Sequence, residues 1–595
     1  MDGLELRMCH RSLRNRGELR RPKKGNEVVH EGRHFLGHWR DIGKKLHAYA
    51  TLESSMGRTH GMGTYINPGN QGFQRARRGE YIDKTGLIAL VSKAISSPRS
   101  LICVSRPRRF GKSYAAEMLC AYYSRGCESR ALFSDLAIAQ DPSFEEHLNA
   151  HNVIRLDMTD VMHQRREDES ASETASRLIV EELLLEFPGL EVPDNLTAAI
   201  LTAVRHTGKP FVFLIDEWDA PIRERSEGET RRYVDFLRAL FKNGNFTAEA
   251  VAAAYMTGIL PIKRYNTQSA ISEFREYTML SPERYAPYVG FTEDEVHELC
   301  ERHDMDYAEA KRWYDGYELP DPDGGAPLHL YAPFSVMRAM ESRRFASYWT
   351  STAAYDSLLA YIERDFDGLQ DKVADLVAGE RLTINPRKFD NDMREVNDAD
   401  DVFTVLAHLG YVTYDEESDT VRVPNEEVRL EFVSALERGS HPEVRRLVEA
   451  ADETLRATFS EDAEAVAAAV AAAHDARVGP DWYNDEQSLR FAVKLAYLTA
   501  IEKYAEVEEL PSGHGYADLV YLPKRYARIP ALVVELKWDK PVDSALEQIR
   551  NRNYPKVLQD YGGPLLLVGI TYDRRTKEHT ASIERLRLGG SDTQG

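Results

Sequence analysis

The chain has 595 residues, of which 43% are hydrophobic and 29% charged; this excludes general disorder and predicts about three domains beyond an N-terminal extension. A formal net charge of −20 excludes non-specific coating of nucleic acid while leaving room for a local basic groove. No stretch approaches the roughly 18–20 apolar residues of a membrane span, and Cys9, Cys103, Cys120, Cys127 and Cys300 show no CxxC or metal-ligand spacing, so a cytoplasmic protein with reduced thiols is expected.

Residues 1–61 carry 13 Lys/Arg against 7 Asp/Glu and have no apolar signal-peptide core. They read either as a nucleic-acid-binding arm or, preferably, as upstream sequence translated from a misassigned start. From Met62 onward the pattern becomes structured. A short amphipathic helix is predicted around Lys84–Ala94, then a turn at Ser96-Ser-Pro-Arg and a buried strand Leu101–Val104 leading into a helix Lys112–Tyr123. Next come a strand Val153–Met158, helices near 171–187 and 194–206, a strand Phe211–Ile215 ending in Asp216, a helix 229–242 and a strand 250–256 ending in Met256-Thr-Gly. Strands alternating with helices at this spacing predict an α/β fold with a parallel sheet, whose ligands sit beyond the C-terminal strand ends.

Two motifs lie at such ends. In a phosphate loop, backbone N–H groups at a helix N-terminus wrap the β-phosphate while a lysine reaches the β/γ oxygens and a hydroxyl holds Mg²⁺. Gly111, Lys112 and Ser113 fill those positions, although Arg106 stands where GxxxxGK[ST] has its first glycine. In VFLIDEWD, apolar residues precede Asp216, placed to hold magnesium, and Glu217, placed to polarise the attacking water. Thr257 falls where a γ-phosphate sensor would stand, although Thr-Gly at a strand end is also a plain turn. Arg264 and Arg275 are the arginine-finger candidates because they follow that strand.

YIDKTGLIALV at 81–91, SRPRRFGKS at 105–113, FLIDEWDAPI at 213–222 and TGILPI at 257–262 closely resemble the bacterial AAA-ATPase-like family over about 62–340. The resemblance implies that the loop works without a first glycine. It extends the nucleotide-contact set to Arg106, Arg109, Phe110, Gly111, Lys112, Ser113, Tyr114 and Thr257, with ATP and Mg²⁺ as cofactors. Binding is better supported than hydrolysis.

Residues 291–400 turn helical and aromatic and read as a lid or support. Residues 401–478 suggest a winged-helix-like module and a helical connector, with acidic Asp415, Glu416, Glu417, Glu426 and Glu427 favouring packing over DNA contact. The Ala-rich helix 461–474 and the Gly479-Pro480 break mark a boundary before a last α/β unit, 479–595. The ATPase domain is expected over 62–290.

In the last unit, Asp518 lies on one predicted strand and Glu535-Leu-Lys537 on the next, with Glu535 and Lys537 two apart and so on one face. Two carboxylates on a metal beside a lysine are the minimum for metal-assisted phosphodiester hydrolysis, and a charged hairpin edge is the plainer alternative. The pattern resembles the PD-(D/E)xK nuclease superfamily, with Ala517 where its proline stands. That resemblance implies an α/β restriction-endonuclease-like fold. Asp518 and Glu535 would be metal ligands, Lys537 the water-positioning base, Glu486 an accessory carboxylate, and Gln548 and Tyr554 supports; Glu502 and Glu509 compete for the role of Glu486. A basic cluster (Lys524, Arg525, Arg528, Lys540, Arg550, Arg552, Lys556) fits a nucleic-acid partner, DNA rather than RNA. The leading reading is an ATP-gated nuclease, the runner-up a nucleotide-switched binding protein that does not cut, and the third a purely structural C-terminal unit. Oligomerisation is left open.

Overall fold

The computed structural model describes residues 63–190, 195–223, 227–262, 271–321, 324–349, 368–389, 396, 398–438, 442–475, 486–512, 515–524, 527–551, 558, 561 and 563–587. Expectations for the basic N-terminal extension, Arg264, the Gly479-Pro480 break, Arg525, Arg552, Tyr554 and Lys556 fall outside them.

The first sheet is parallel and built from β1 (Leu101–Ser105), β2 (Asn152–Asp157), β3 (Phe211–Asp216), β4 (Val251–Gly258) and β5 (Arg275–Tyr277) in the order β2-β3-β4-β1-β5. β1, β3 and β4 are buried along their whole length because helices cover both faces, which is why they read as continuous apolar runs rather than alternating ones. One face carries α1 (Gln71–Arg78), α2 (Gly86–Ala94) and α3 (Lys112–Tyr123), the other α4 (Ala171–Glu186), α5 (Leu196–Thr207) and α6 (Glu227–Phe241). Local chemistry sets the ends: Ser170 and Glu173 form a capping box at α4, and Gly208 closes α5 in the left-handed region. With β4 between β1 and β3, the tip of β4 separates the phosphate loop from the Asp216 strand end.

The region after 290 is helical as expected, with α7 (Glu293–His303), α8 (Tyr307–Tyr314) and α9 (Pro333–Ser342), but it also holds a small antiparallel sheet of Phe291–Thr292, Tyr317–Leu319 and Leu328–Tyr331. These strands are too short to show period-two alternation. Residues 399–438 run helix, hairpin, helix: α10 (Ala399–Leu409), Thr413–Asp415 paired with Thr420–Arg422, and α11 (Glu426–Arg438). One apolar cluster runs from Leu119 and Tyr122 through Tyr317 and Leu330 to Val402 and Phe432, so this middle region shares the core on one face of the first sheet. α12 (Pro442–Phe459) and α13 (Ala463–Asp475) follow.

The last unit begins with α14 (Glu486–Ala496) and forms a mixed five-stranded sheet: β6 (Tyr504–Ser512), β7 (Gly515–Pro523), β8 (Ala531–Trp538), β9 (Pro564–Asp573) and β10 (Glu578–Arg587), neighbours in that order. Only the β8–β9 pair is parallel, and α15 (Val542–Asn551) makes that crossover. Leu532, Val534 and Leu536 pack with α14 on one face, Ala531 and Val533 with α15 on the other, as strand alternation dictates.

Candidate functional site

β1 ends at Ser105, and the chain turns through Pro107 to Gly111, which caps α3 at φ 89° with open space beside it. Arg109 also has positive φ, 72°, so successive N–H groups curl into a concave loop, the backbone arrangement that receives anions. Lys112 lies over this loop: its Nζ donates to the Pro107 carbonyl at 3.1 Å and stands 3.6 Å from Glu217 Oε1. Ser113 is exposed in the first turn and lines the same cavity of about 880 Å³, together with Arg108, Arg109, Tyr114, Asp157 and Glu217. That volume suits a nucleotide-sized ligand.

Across the cavity, the parallel register sets Asp157 at the tip of β2 level with Asp216 at the tip of β3. Asp216 Oδ1 accepts a hydrogen bond from the Thr257 hydroxyl, while Oδ2 is buried with no hydrogen-bond partner. A buried carboxylate oxygen left so is costly unless a cation or water meets it, so Asp216 could hold a magnesium ion through its water shell. Glu217, at φ 48°, turns back beside Lys112 and accepts from Arg223 at 2.7 Å. Burial raises the Glu217 carboxyl above its ordinary value against the opposing pull of Lys112, and burial followed by the Asp216 charge raises Asp157. Asp219 is structural: its carboxylate accepts from the backbone N–H of Leu260 at 3.1 Å and pairs with Arg223 at 3.0 Å, tying the Asp216–Arg223 turn to the end of β4. A Cβ at Gly258 would fall 2.6 Å from the Trp218 ring, so the Thr257-Gly258 turn needs its glycine.

Two expected nucleotide contacts sit elsewhere. Arg106 is fully buried beneath the loop, donating to the Ser105 and Tyr277 carbonyls at 2.9 and 3.1 Å, and burial brings its guanidinium down to about 10. It braces β1 against β5 and does not line the cavity; a residue at the strand end continues the alternation of β1 and points into the sheet. Thr257 is wholly buried and touches Asp216 rather than the cavity, so it orients the carboxylate. Phe110 is buried edge-on to Tyr317 at 5.3 Å and still lines the cavity. Arg109 reaches the middle region, with its guanidinium 4.3 Å over the Phe334 ring and a hydrogen bond to the Tyr348 carbonyl. Arg275 is exposed on β5 and does not line the cavity. Asp157 and Arg223 were missed by sequence reasoning; their signals were a strand-end aspartate and the spacing of Asp219 and Arg223 by one helical turn.

In the C-terminal unit, the pairing Leu519↔Val534 carries on to set Asp518 opposite Glu535. Asp518 Oδ2 accepts from the Leu536 N–H at 2.8 Å, and its other oxygen lies 3.6 Å from Arg490 on α14. Glu535 is 1% exposed; its Oε1 accepts from Lys537 Nζ at 2.8 Å and from the Gln548 amide of α15. Asp518, Glu535, Lys537 and Gln548 thus converge. Glu486 is exposed one turn before Arg490, so the α14 side chain brought to Asp518 is Arg490. Among the described residues no group of three or more His, Cys, Asp or Glu side chains is placed to hold a metal, and Asp518 and Glu535 meet protein donors instead. Of the basic cluster, Lys524 is buried against Glu426 at 2.9 Å and Arg550 pairs with Glu584, so neither is a free phosphate contact.

No helix among the described residues is long and apolar enough to cross a membrane. A protein of Azotobacter chroococcum mcd 1, described as "Uncharacterized protein in vnfD 5'region", is 23% identical over 534 residues, covering 86% of this chain and 96% of that one. Among solved structures, Cdc6p of Pyrobaculum aerophilum aligns at 10% identity over 59% of this chain and 92% of its own, with a TM-score of 0.23. The Orc1 protein of Aeropyrum pernix, solved in complex with DNA, aligns at 12% identity over 64% of this chain and 99% of its own, with a TM-score of 0.25. These scores are too low to carry an argument. Residues 68–267, which hold the phosphate loop, the Asp216–Glu217 turn and Thr257, match the family described as "Predicted AAA-ATPase".

Proposed function

We propose that this protein binds and hydrolyses ATP at the Lys112–Glu217 site and uses the nucleotide cycle to govern a phosphodiesterase site in its C-terminal unit, acting on DNA. For the ATP site the carrying observation is Asp216 Oδ2, buried without a hydrogen-bond partner at the end of β3, next in sequence to Glu217, which lines the cavity and stands 3.6 Å from Lys112. Lys112 would leave the Pro107 carbonyl for the β/γ-phosphate oxygens. Glu217, its charge tempered by burial and held by Arg223, would orient the attacking water. A magnesium ion would be held by Ser113 and Asp216 and would supply neutralisation of charge developing on the phosphates.

For the C-terminal site the support is the convergence of Asp518, Glu535, Lys537 and Gln548 at one place on the sheet. Asp518 and Glu535 would hold a divalent cation, whose chemistry is to polarise the scissile phosphate. Lys537 would position the water, and Gln548 fixes the Glu535 carboxylate. A second reading, a nucleotide-switched protein that grips nucleic acid without cutting, draws support from the closed pairing of Glu535 with Lys537 and from the guanidinium beside Asp518.

The test is cleavage of linear and circular DNA by the purified chain with Mg²⁺ or Mn²⁺, with and without ATP, beside Lys537→Ala and Lys112→Ala. Cleavage that is lost in Lys537→Ala, and that responds to ATP only when Lys112 is present, supports the gated nuclease. ATP hydrolysis with DNA retention but no cleavage selects the second reading.

A further inference from the structure

The phosphate loop is pressed against the middle region on its outer side. A Cβ on Gly410, at the end of α10, would lie 2.8 Å from the Pro107 ring, and Phe110 packs on Tyr317. Arg109 extends from the loop to the Tyr348 carbonyl. The strap around Tyr348 is in turn stitched to α11: Glu427 accepts from the Tyr348 N–H at 2.6 Å and from Ser335 at 3.0 Å, and Glu431 accepts from Ser347 at 2.9 Å. Glu427 and Glu431 are each 1% exposed, and both carboxylates attract the Arg109 guanidinium.

The opposite side of α11 meets the C-terminal unit. Glu426 pairs with Lys524 at 2.9 Å and with Arg312 at 3.0 Å; Arg429 pairs with Glu506 of β6 at 3.0 Å. Glu506 also lies 3.3 Å from Lys494, on the same helix α14 that brings Arg490 to Asp518. Part of this junction is open, a gap of about 300 Å³ lined by Arg312, Glu426, Arg429, Lys494 and Glu506, which leaves the ion pairs room to rearrange.

We infer that α11 is the lever through which the phosphate state of a bound nucleotide reaches the C-terminal carboxylate site, with Arg109 as the group that changes partner. The inference rests on the ATP-binding reading above and names its regulation. Arg109 lines the nucleotide cavity while holding the strap. A γ-phosphate offers it a stronger partner than the Tyr348 carbonyl. Drawn to the phosphate, it releases the strap from one side, and Glu427 and Glu431 lose their counter-charge. α11 then shifts against β6 and α14, whose contacts to it are charged and only partly packed. Coupling of this kind is reciprocal, so changes on α11 must alter nucleotide affinity.

The experiment is hydrogen–deuterium exchange of the full chain with Mg·ATP, Mg·ADP or neither, together with nucleotide affinities for two variants. ATP, and not ADP, is expected to speed exchange in 344–349, 426–438 and 504–508. Glu427→Gln keeps an acceptor oxygen for Tyr348 and Ser335 but weakens the hold on Arg109; ATP should bind several-fold tighter while ADP affinity stays constant. Arg429→Ala should keep the ATP response at 344–349 and lose it at 504–508. ATP bound by the parent chain with an exchange pattern matching ADP, or an unchanged ATP-to-ADP affinity ratio in Glu427→Gln, overturns the lever alone. Absence of nucleotide binding by the parent chain overturns the ATP reading and the lever with it.

Discussion

Glu427 offers a stability test that needs no ligand. Burial is the main cause that pushes its carboxyl from 4.5 up to about 7, opposed by hydrogen bonds from the Tyr348 N–H and the Ser335 hydroxyl. The charges and titratable groups facing it are Glu431 on α11, Arg109 from the phosphate loop, Tyr314 of α8 and Tyr317 beyond it. Between those two pH values the folded protein keeps a proton that the unfolded chain has released, so stability falls as pH rises through this window and stays low above it. The interval from 4.5 to about 7 corresponds to ~3 kcal/mol. Glu427→Gln removes the titration. Measured against the parent in parallel thermal melts, the variant-minus-parent difference should grow by ~2.5 kcal/mol between pH 5 and pH 8, at about 2–4 °C per kcal/mol for a unit of this size. A variant-minus-parent difference that is the same at both pH values refutes the buried, charge-penalised placement of Glu427.

Gly316 has φ 111°, and a Cβ there would lie 1.8 Å from the Pro424 carbonyl oxygen, so Gly316→Ala should cost ~3 kcal/mol or more and lower the melting temperature of the middle region. Glu217→Gln should retain ATP in equilibrium binding while hydrolysis falls roughly 10²- to 10⁴-fold; hydrolysis at the parental rate would remove Glu217 from the role of water-orienting base. Lys537→Met removes the ammonium partner of the buried Glu535 carboxylate, which keeps the Gln548 amide, and should cost about 3–5 kcal/mol in chemical denaturation, most of it recovered when Glu535→Gln is added. A neutral Lys537→Met would show that the two groups do not form a buried ion pair.

What the sequence disclosed follows from where each constraint is local. A phosphate loop needs a strand, a turn with Gly111 in the left-handed region, and a helix starting at Lys112; all of that is written within a dozen consecutive residues, and α3 begins and ends where the periodicity predicts. The Asp216–Glu217 turn is equally local. Direction is not: Arg106 and Thr257 occupy motif positions, yet the sheet's alternation and the neighbouring Tyr277 and Asp216 decide where their side chains go. β6, β9 and β10 were not anticipated in the sequence; β6 and β10 carry charged positions (Glu506 and Glu508, Glu578 and Glu584) that break a simple apolar alternation, and Glu506 is met by Arg429 and Lys494 across a junction between distant segments.

Glu426 and Glu427 show the same limit from the other side. In sequence they extend an acidic run that includes Asp415, Glu416 and Glu417, and the expectation of packing rather than DNA contact rested on charge alone. In the fold the run divides: Asp415 stays on the hairpin surface with Arg381, while Glu426 and Glu427 are buried and face opposite neighbours, one toward Lys524 of the C-terminal unit and the other toward the strap held by Arg109. Adjacent residues on a helix point about 100° apart, so two consecutive glutamates can serve two different interfaces only if the helix itself lies between them. The partner of one, Tyr348, is bound by an arginine 239 residues earlier in the chain, a separation no local pattern encodes. Burying two adjacent carboxylates on a single helix is costly unless each has a partner, and those partners belong to the strap held by Arg109 for one and to Lys524 at the end of the C-terminal sheet for the other. The helix that meets this cost therefore touches both the strap held by Arg109 and the C-terminal sheet.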